Sequence, residues 1–231
     1  MIESFEIYWA MFLKLLAAAP LSIFLTAVAG TLGLIIGGAT AIARLSSLKW
    51  IAAPAESYSF MFRGTPALVQ IYLIYYGLGE VLPDTWVRHS FLWKYLRDGL
   101  WYAILALSLN QGAYLSEVFK GAIKDVPKGL KEAAAAAGLT KWQTLRFVTL
   151  PIAFRTSLPI IASDTIILLK TTSLASTITV MELMGTARVI QRKTFSIYEP
   201  LLLTGLIYFA VVVAISFSMK KVEKRYAILA H

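Results

Sequence analysis

The sequence predicts an all-helical integral membrane protein with five transmembrane helices. The chain of 231 residues is 58% hydrophobic and only 15% charged, and its mean hydropathy is +0.69. This composition is too apolar for an ordinary soluble domain, in which about half of the residues are apolar. The apolar residues also form long blocks, as expected where a helix needs roughly 20 residues to cross a bilayer. We therefore expect a single membrane domain over residues 1–231.

Several function classes are excluded by what the sequence lacks. It contains no cysteine, and its two histidines, His89 and His231, are too few and too far apart to indicate a metal site. There is no G-x-x-x-x-G-K-[ST] motif, so the chain cannot hold nucleotide phosphates by itself, and a partner or an ion gradient must supply energy. The net charge of +9 is explained by basic residues that flank membrane spans, without any nucleic acid.

The first apolar block, residues 15–43, contains no charged residue and is long enough for one crossing. Small residues recur within it at every fourth position, at Ala29, Gly33, Gly37 and Ala41. Such a stripe lets a second helix approach closely. The pattern is compatible with packing inside one chain and with an interface between subunits.

The other four predicted spans are residues 57–79, 99–119, 153–174 and 199–220. The first of these is interrupted by Arg63-Gly64-Thr65-Pro66, in which Thr65 fits an N-cap and Pro66 the first position of a helix. We therefore expect a helix to begin at Pro66, with the residues before it forming an interfacial approach to the span.

Basic residues predict the orientation of these spans. Thirteen Lys and Arg residues lie in one set of connecting segments, and seven lie in the set on the opposite side. The richer set comprises residues 44–52, 120–155 and 220–231. Because Lys and Arg accumulate in cytoplasmic segments, we expect a periplasmic amino terminus and a cytoplasmic carboxyl terminus.

The cytoplasmic segment 126–151 predicts two short helices joined at a glycine. Pro127 can open the first helix, and Gly138 stands where that helix should stop. Thr140-Lys141-Trp142-Gln143 then matches a capping box, so a second helix should begin at Lys141 and run toward Pro151. The helix pattern by itself fits a projection that binds another protein and an amphipathic connector on the membrane surface equally well.

A family resemblance favours the first interpretation. Glu132-Ala133-Ala134, followed by Gly138 and Leu150-Pro151, resembles the EAA motif of permeases from binding-protein-dependent ABC importers. Residues 62–70 and 168–174 resemble the polar amino acid branch of that family, with the histidine/lysine-arginine-ornithine and opine permeases as the nearest likeness. Thr171 departs from the family pattern, which often has an acidic residue there.

The resemblance implies a bacterial inner-membrane transport subunit rather than an enzyme, importing a polar, basic amino acid or an opine-like derivative by alternating access. It implies three protein partners: an ATPase dimer, a second and non-identical permease, and a periplasmic solute-binding protein. ATP and Mg would be bound by the ATPase, with no cofactor in this chain. The ATPase-coupling residues implied by the motif are Glu132, Ala133, Ala134, Gly138 and Pro151.

Three residues in the predicted spans are candidates for substrate binding. Asp164 lies near the middle of the fourth span, where an ionised carboxylate is costly unless it faces a cavity or a partner. It fits a contact with a cationic substrate group, or a structural role paired with Arg63 or capped by hydroxyls such as Ser163. Arg63 fits a structural or gating role better than direct binding, since a long basic side chain can reach the interface.

Tyr72 is the third candidate, because an aromatic ring can bind a cation through its face. Tyrosines near span ends also serve as interfacial anchors. The rival function is an ion-gradient-driven transporter or channel with Asp164 as its ion site. The absence of a visible internal sequence repeat argues against that rival, since many such transporters contain paired repeats.

Overall fold

The computed structural model describes residues 2–81, 89–91 and 93–227, and the secondary structure of this part of the chain is entirely helical. The helices are α1 Ile2–Arg44, α2 Lys49–Gly64, α3 Ala67–Val81, α4 Trp93–Leu96, α5 Gly99–Asp125, α6 Lys128–Ala136, α7 Lys141–Thr144, α8 Leu150–Thr171, α9 Leu183–Thr194 and α10 Tyr198–Ala227. A π-helical turn, Leu145–Thr149, joins α7 to α8, and a 3-10 helix, Thr172–Ile178, extends α8. The predicted helical class is confirmed. His231 and residues 82–88, which belong to a connecting segment predicted to be periplasmic, lie outside the described residues.

Three helical stretches in the described part are long and apolar enough to cross a membrane. They are Glu6–Arg44, Lys141–Ile178 and Tyr198–Tyr226. The predicted spans 15–43, 153–174 and 199–220 fall within them. The predicted span 99–119 lies inside α5, whose 27 residues extend for about 40 Å at a rise of about 1.5 Å per residue.

The predicted second span, 57–79, is two helices rather than one continuous helix. Thr65 is extended, with φ −119° and ψ 147°, as expected for a residue whose helical conformation would clash with the following proline. The predicted helix start at Pro66 is correct to one residue, but Thr65 is not an N-cap. Its hydroxyl donates back to the Met61 carbonyl at 2.8 Å, and Gln70 Nε2 donates to the carbonyls of Phe62 and Thr65, which ties α2 to α3 across the break.

The small-residue stripe of α1 packs against α5 of the same chain, which decides between its two interpretations. A Cβ added at Gly33 would lie 2.8 Å from Gln111 Cγ, and one added at Gly37 would lie 2.8 Å from Leu115 Cβ. On the facing helix, a Cβ at Gly112 would lie 2.6 Å from Ile36 Cγ2. The two backbones are therefore too close for any side chain at these three positions.

Two buried clusters show the relative directions of the long helices. One cluster joins the beginning of α1 to α9 and α10, through residues such as Leu15, Leu183 and Ile207. Another joins the end of α1 to the end of α5 and the beginning of α8, through residues such as Ala41 and Ala153. Thus α1 and α5 run side by side in one direction, and α8 returns in the other.

Candidate functional site

A cavity of about 670 Å³ lies between α2, α5 and α8. Its polar lining residues are Arg63, Tyr114, Glu117, Asp125, Thr156, Ser157 and Asp164. Three of these seven are acidic and one is basic, so the charge of the lining favours a cationic ligand. The cavity therefore unites two of the sequence-predicted site residues, Asp164 and Arg63.

The wall of this cavity is held by a group of five charged residues that link α1, α2 and α5. Arg44 has a side chain only 1% exposed, and its guanidinium donates to Glu56 at 2.7 and 2.9 Å and to Glu117 at 2.8 Å. Arg63 Nη2 lies 2.9 Å from the same Glu117 oxygen, and Lys120 Nζ lies 3.0 Å from Glu56. The planar guanidinium suits such forked pairing with carboxylates.

Glu56, which precedes the predicted second span, remains ionised at any physiological pH. The hydrogen bond from Arg44, and then the one from Lys120, lower the pKa of Glu56 to about 2. A carboxyl group with a lowered folded-state pKa adds stability that is present above its ordinary pKa of 4.5 and is lost as the pH falls toward 2. The ion-pair group should therefore be insensitive to pH between 5 and 8.

Asp164 lies half-buried on α8, and within the described residues it makes no hydrogen bond or ion pair. Neither Arg63 nor Ser163, the two structural partners predicted for Asp164, pairs with it. Arg63 pairs with Glu117, and Ser163 donates to the Pro159 carbonyl at 3.2 Å. The carboxylate therefore faces the cavity with its acceptor oxygens available to a ligand, as expected for a functional carboxylate at membrane depth.

Tyr72, the third predicted binding residue, is not part of this cavity. It lies on α3, is 38% exposed, and its ring packs edge-on against Tyr76 at a centroid distance of 5.7 Å. Its neighbour Tyr75 packs against Tyr102 of α5 at 5.2 Å. These contacts make the tyrosine group a packing feature of α3 in this structure.

The segment 126–151 forms the two predicted helices. Gly138 ends the first with φ +81°, a left-handed conformation that favours glycine, and Leu139 N–H donates to the Ala134 carbonyl. Thr140 and Gln143 form the predicted capping box, with Thr140 N–H donating to Gln143 Oε1 at 2.8 Å and Gln143 N–H donating to Thr140 Oγ1 at 3.3 Å. Local sequence signals predicted both features correctly.

Four of the five coupling residues implied by the resemblance are exposed, on a surface that another protein can reach. Glu132 and Ala133 are exposed on α6, whereas Ala134 is buried against the rest of the chain. Pro151 does not end the second helix, which continues into α8. In the π turn before Pro151, the Leu150 N–H donates to the Leu145 carbonyl, five residues back. Pro151 has no backbone N–H to donate, and this wider turn accommodates it within the helix.

The cavity and segment 126–151 are physically connected. Val126 and Pro127 line the cavity, and Pro127 is also the N-cap of α6. Lys131 Nζ donates to the Ile123 carbonyl at 3.2 Å, which fastens α6 to the end of α5. A displacement of α6 would therefore move the cavity wall directly.

Sequence reasoning missed Glu182, a fully buried carboxylate at the opposite end of the molecule. It caps α9 by accepting from Gly185 N–H at 2.8 Å and Met184 N–H at 3.0 Å. It also accepts from Ser22 Oγ on α1 at 3.0 Å and from the Tyr208 hydroxyl on α10 at 2.8 Å. The sequence signal that could have indicated it is a glutamate at the start of a helix, just after an apolar stretch. Its partners Ser22 and Tyr208 are too distant in sequence to predict.

Glu117 and Lys120 stand three positions apart on α5, a spacing that could place an ion pair along the helix, but they do not form one with each other. Glu117 instead pairs with Arg44 and Arg63, and Lys120 with Glu56. Guanidinium groups from two other helices lie close to Glu117, and they replace the weak pairing along α5.

Comparison with known proteins places this architecture in a family. Residues 29–228 match the family described as the inner membrane component of binding-protein-dependent transport systems. The chain belongs to this family. The permease is thus an inner-membrane transport subunit and not an enzyme, and the family resemblance is confirmed.

Individual relatives and a solved structure agree with this assignment. The octopine transport system permease protein OccM of Rhizobium radiobacter is 43% identical to the permease over 200 residues, covering 87% of this chain and 80% of that protein. The histidine/lysine/arginine/ornithine transport system permease protein HisM of Escherichia coli K12 is 36% identical over 201 residues, covering 84% and 83%. A crystal structure of an amino acid ABC transporter with histidines superposes with a TM-score of 0.81 at 30% identity, covering 97% of the permease and 98% of that chain.

Proposed function

We propose that the permease carries a basic, polar amino acid or an opine-like derivative across the inner membrane by alternating access, driven by a separate ATPase. The single observation that carries the proposal is the acidic cavity in which Asp164 has no partner among the described residues. An ammonium or guanidinium group fits a carboxylate acceptor at this depth. The names of the octopine and histidine/lysine/arginine/ornithine relatives support the same class of substrate.

The proposal includes five crossings with the amino terminus in the periplasm and the carboxyl terminus in the cytoplasm. Alternation of helix direction supports it: α1, α5 and α10 run one way, and α3 and α8 run the other. In this arrangement α2 lies at the interface before the break at Pro66, and α3 completes the second crossing. The excess of Lys and Arg at the end that carries segment 126–151 supports a cytoplasmic location for that segment.

Three partners complete the proposed complex: an ATPase dimer that binds ATP and Mg, a second and non-identical permease, and a periplasmic solute-binding protein. Glu132, Ala133, Ala134, Gly138 and Pro151 form the ATPase-coupling segment. When the ATPases close, α6 moves with them. Because Val126 and Pro127 line the cavity, this movement changes the access of the cavity from one side of the membrane to the other.

Uptake by reconstituted complexes tests the role of Asp164. The change Asp164→Asn keeps the size of the side chain but removes the charge that would pair with a cationic substrate. Loss of a charge-assisted hydrogen bond of about 1.5–3 kcal/mol should reduce uptake of radiolabelled arginine about 10- to 150-fold at subsaturating concentration. ATP hydrolysis in the absence of substrate should be preserved.

The matched control is Ser163→Ala, because Ser163 bonds to the backbone of its own helix. This variant should transport arginine normally. An ionophore should leave uptake unchanged in all active complexes, since ATP supplies the energy. Normal arginine uptake by the Asp164→Asn complex would remove Asp164 from the binding site, and abolition of uptake by ionophore alone would refute the ATP-driven class.

A further inference from the structure

A narrow apolar cavity of about 250 Å³ lies between α1, α5 and α8, on a different face of α1 from the one that packs on α5. From α1 it is lined by Leu34, Gly38 and Ile42, which repeat every fourth residue and therefore share one helix face. The aromatic rings of Phe119 and Phe154 line the other side and pack against each other at 6.5 Å. A Cβ at Gly38 would meet no atom within 4 Å, so this glycine leaves the cavity open.

A second cavity, of about 590 Å³, continues from the first. The two share Ile42 and Ile123, so together they form one groove. The second is lined further along by Ser46, Ser47, Lys141 and Trp142, among others. The groove thus changes from wholly apolar at one end to hydroxyl, ammonium and indole groups at the other.

This change coincides with the predicted edge of the bilayer. The first span ends at residue 43, between the apolar lining residues and the two serines. Lys141 is exposed and Trp142 is 60% exposed, and no Asp or Glu is among the described residues that line either cavity. Tryptophan and lysine are the residue types that lie at the level of lipid headgroups.

We infer that this groove binds an anionic phospholipid of the cytoplasmic leaflet, with one acyl chain in the apolar part and the phosphate beside Lys141 and the serines. The inference rests on the proposed orientation of the spans. The apolar face from Leu34 to Ile42 is about 12 Å long at a rise of about 1.5 Å per residue, which suits part of a single acyl chain. The lipid would brace the second helix of segment 126–151 against the end of α1.

Native mass spectrometry of the purified full-length chain, with phosphatidylglycerol or phosphatidylcholine added, tests the inference. The unmodified chain should retain phosphatidylglycerol in preference to phosphatidylcholine. Lys141→Gln should lower the affinity for phosphatidylglycerol about fivefold, as expected for one basic residue near the membrane surface. Gly38→Leu fills the apolar part and should lower retention of both lipids.

Two control variants match these changes. Lys221→Gln removes one exposed charge from the same predicted side, and Gly205→Leu adds the same side chain at an open position of α10. Both controls should retain lipid as the unmodified chain does. Equal losses for Lys141→Gln and Lys221→Gln would indicate diffuse attraction to basic charge and would overturn the inference, as would undiminished retention by Gly38→Leu.

Photo-crosslinking in membranes identifies the occupant directly. Benzoylphenylalanine in place of Trp142 should give an adduct with the mass of a phospholipid. Adducts with another protein subunit alone would assign the groove to a protein partner and overturn the inference. Lipid retention is measured on the purified chain, without transport. A loss of lipid retention would therefore contradict the lipid inference but not ATP-driven uptake, and a loss of uptake would contradict the proposed function but not lipid binding.

Discussion

The buried guanidinium of Arg44 should contribute measurably to the stability of the permease, and Arg44→Lys isolates that contribution. The lysine keeps the positive charge but not the planar fork that donates to Glu56, Glu117 and Ser116. We expect at least two of the four hydrogen bonds from Arg44 to be lost.

The size of the expected loss of stability follows from how exposed the acceptors Glu56 and Glu117 are. A hydrogen bond to a charged group contributes about 1.5–3 kcal/mol, whereas an exposed ion pair contributes about 0.2–1 kcal/mol. The side chains of Glu56 and Glu117 are 52% and 45% exposed, so water can replace part of what they lose. We therefore assign about 1 kcal/mol to each lost bond, or about 2 kcal/mol in all.

Thermal unfolding of the purified chain measures this effect. A loss of about 2 kcal/mol corresponds to a decrease in Tm of about 4–8 °C for a chain of this length. Arg155→Lys is the control, because Arg155 is exposed and makes no ion pair or hydrogen bond to the described residues, and its Tm should stay unchanged. Equal Tm values for Arg44→Lys and the unmodified chain would refute the assignment of Arg44 as the centre of the ion-pair group.

Two further pairs of changes test the packing of α1 and the hydrogen bonds around Glu182. Gly37→Ala should lower the free energy of unfolding by about 1–3 kcal/mol, because the added methyl group overpacks against Leu115. Gly38→Ala, at an open position, should raise it by about 0.5–1 kcal/mol. Equal effects of the two changes in thermal unfolding would contradict the close approach of α1 and α5. Glu182→Gln should cost about 2–4 kcal/mol, because a neutral amide replaces a carboxylate that accepts four hydrogen bonds. Ser22→Ala removes one of these donors and also the acceptor of the Leu183 N–H, so it should cost about 1–3 kcal/mol. A stable Glu182→Gln variant would show that the network at the N-cap of α9 is dispensable.

Local signals in the sequence predicted the features that depend on neighbouring residues. The break at Pro66, the end of α6 at Gly138 and the capping box at Thr140 each involve atoms within a few residues of one another. Their physical causes are, in that order, the steric clash of a proline with the residue before it, a left-handed conformation and two reciprocal hydrogen bonds. Such features are readable without knowledge of the rest of the fold.

Contacts between distant residues were not predictable in the same way. Arg44 and Glu117 are 73 positions apart, and Ser22 and Glu182 are 160 apart, so only packing of the helices brings them together. The same packing places Asp164 in the cavity and leaves Tyr72 outside it. Polarity at membrane depth was a sufficient signal for Asp164, whereas the aromatic character of Tyr72 fits packing as readily as binding.

In the proposed function, segment 126–151 transmits the movement of a separate ATPase to the membrane helices. The chain contains no cysteine, so a single introduced cysteine marks its position without ambiguity. Cross-linking from Ala135→Cys, on the exposed surface of α6, should capture the ATPase subunit, and cross-linking from Lys193→Cys, exposed on α9 at the opposite end, should not. Capture of no nucleotide-hydrolysing protein from Ala135→Cys, or equal capture from both positions, would contradict the account.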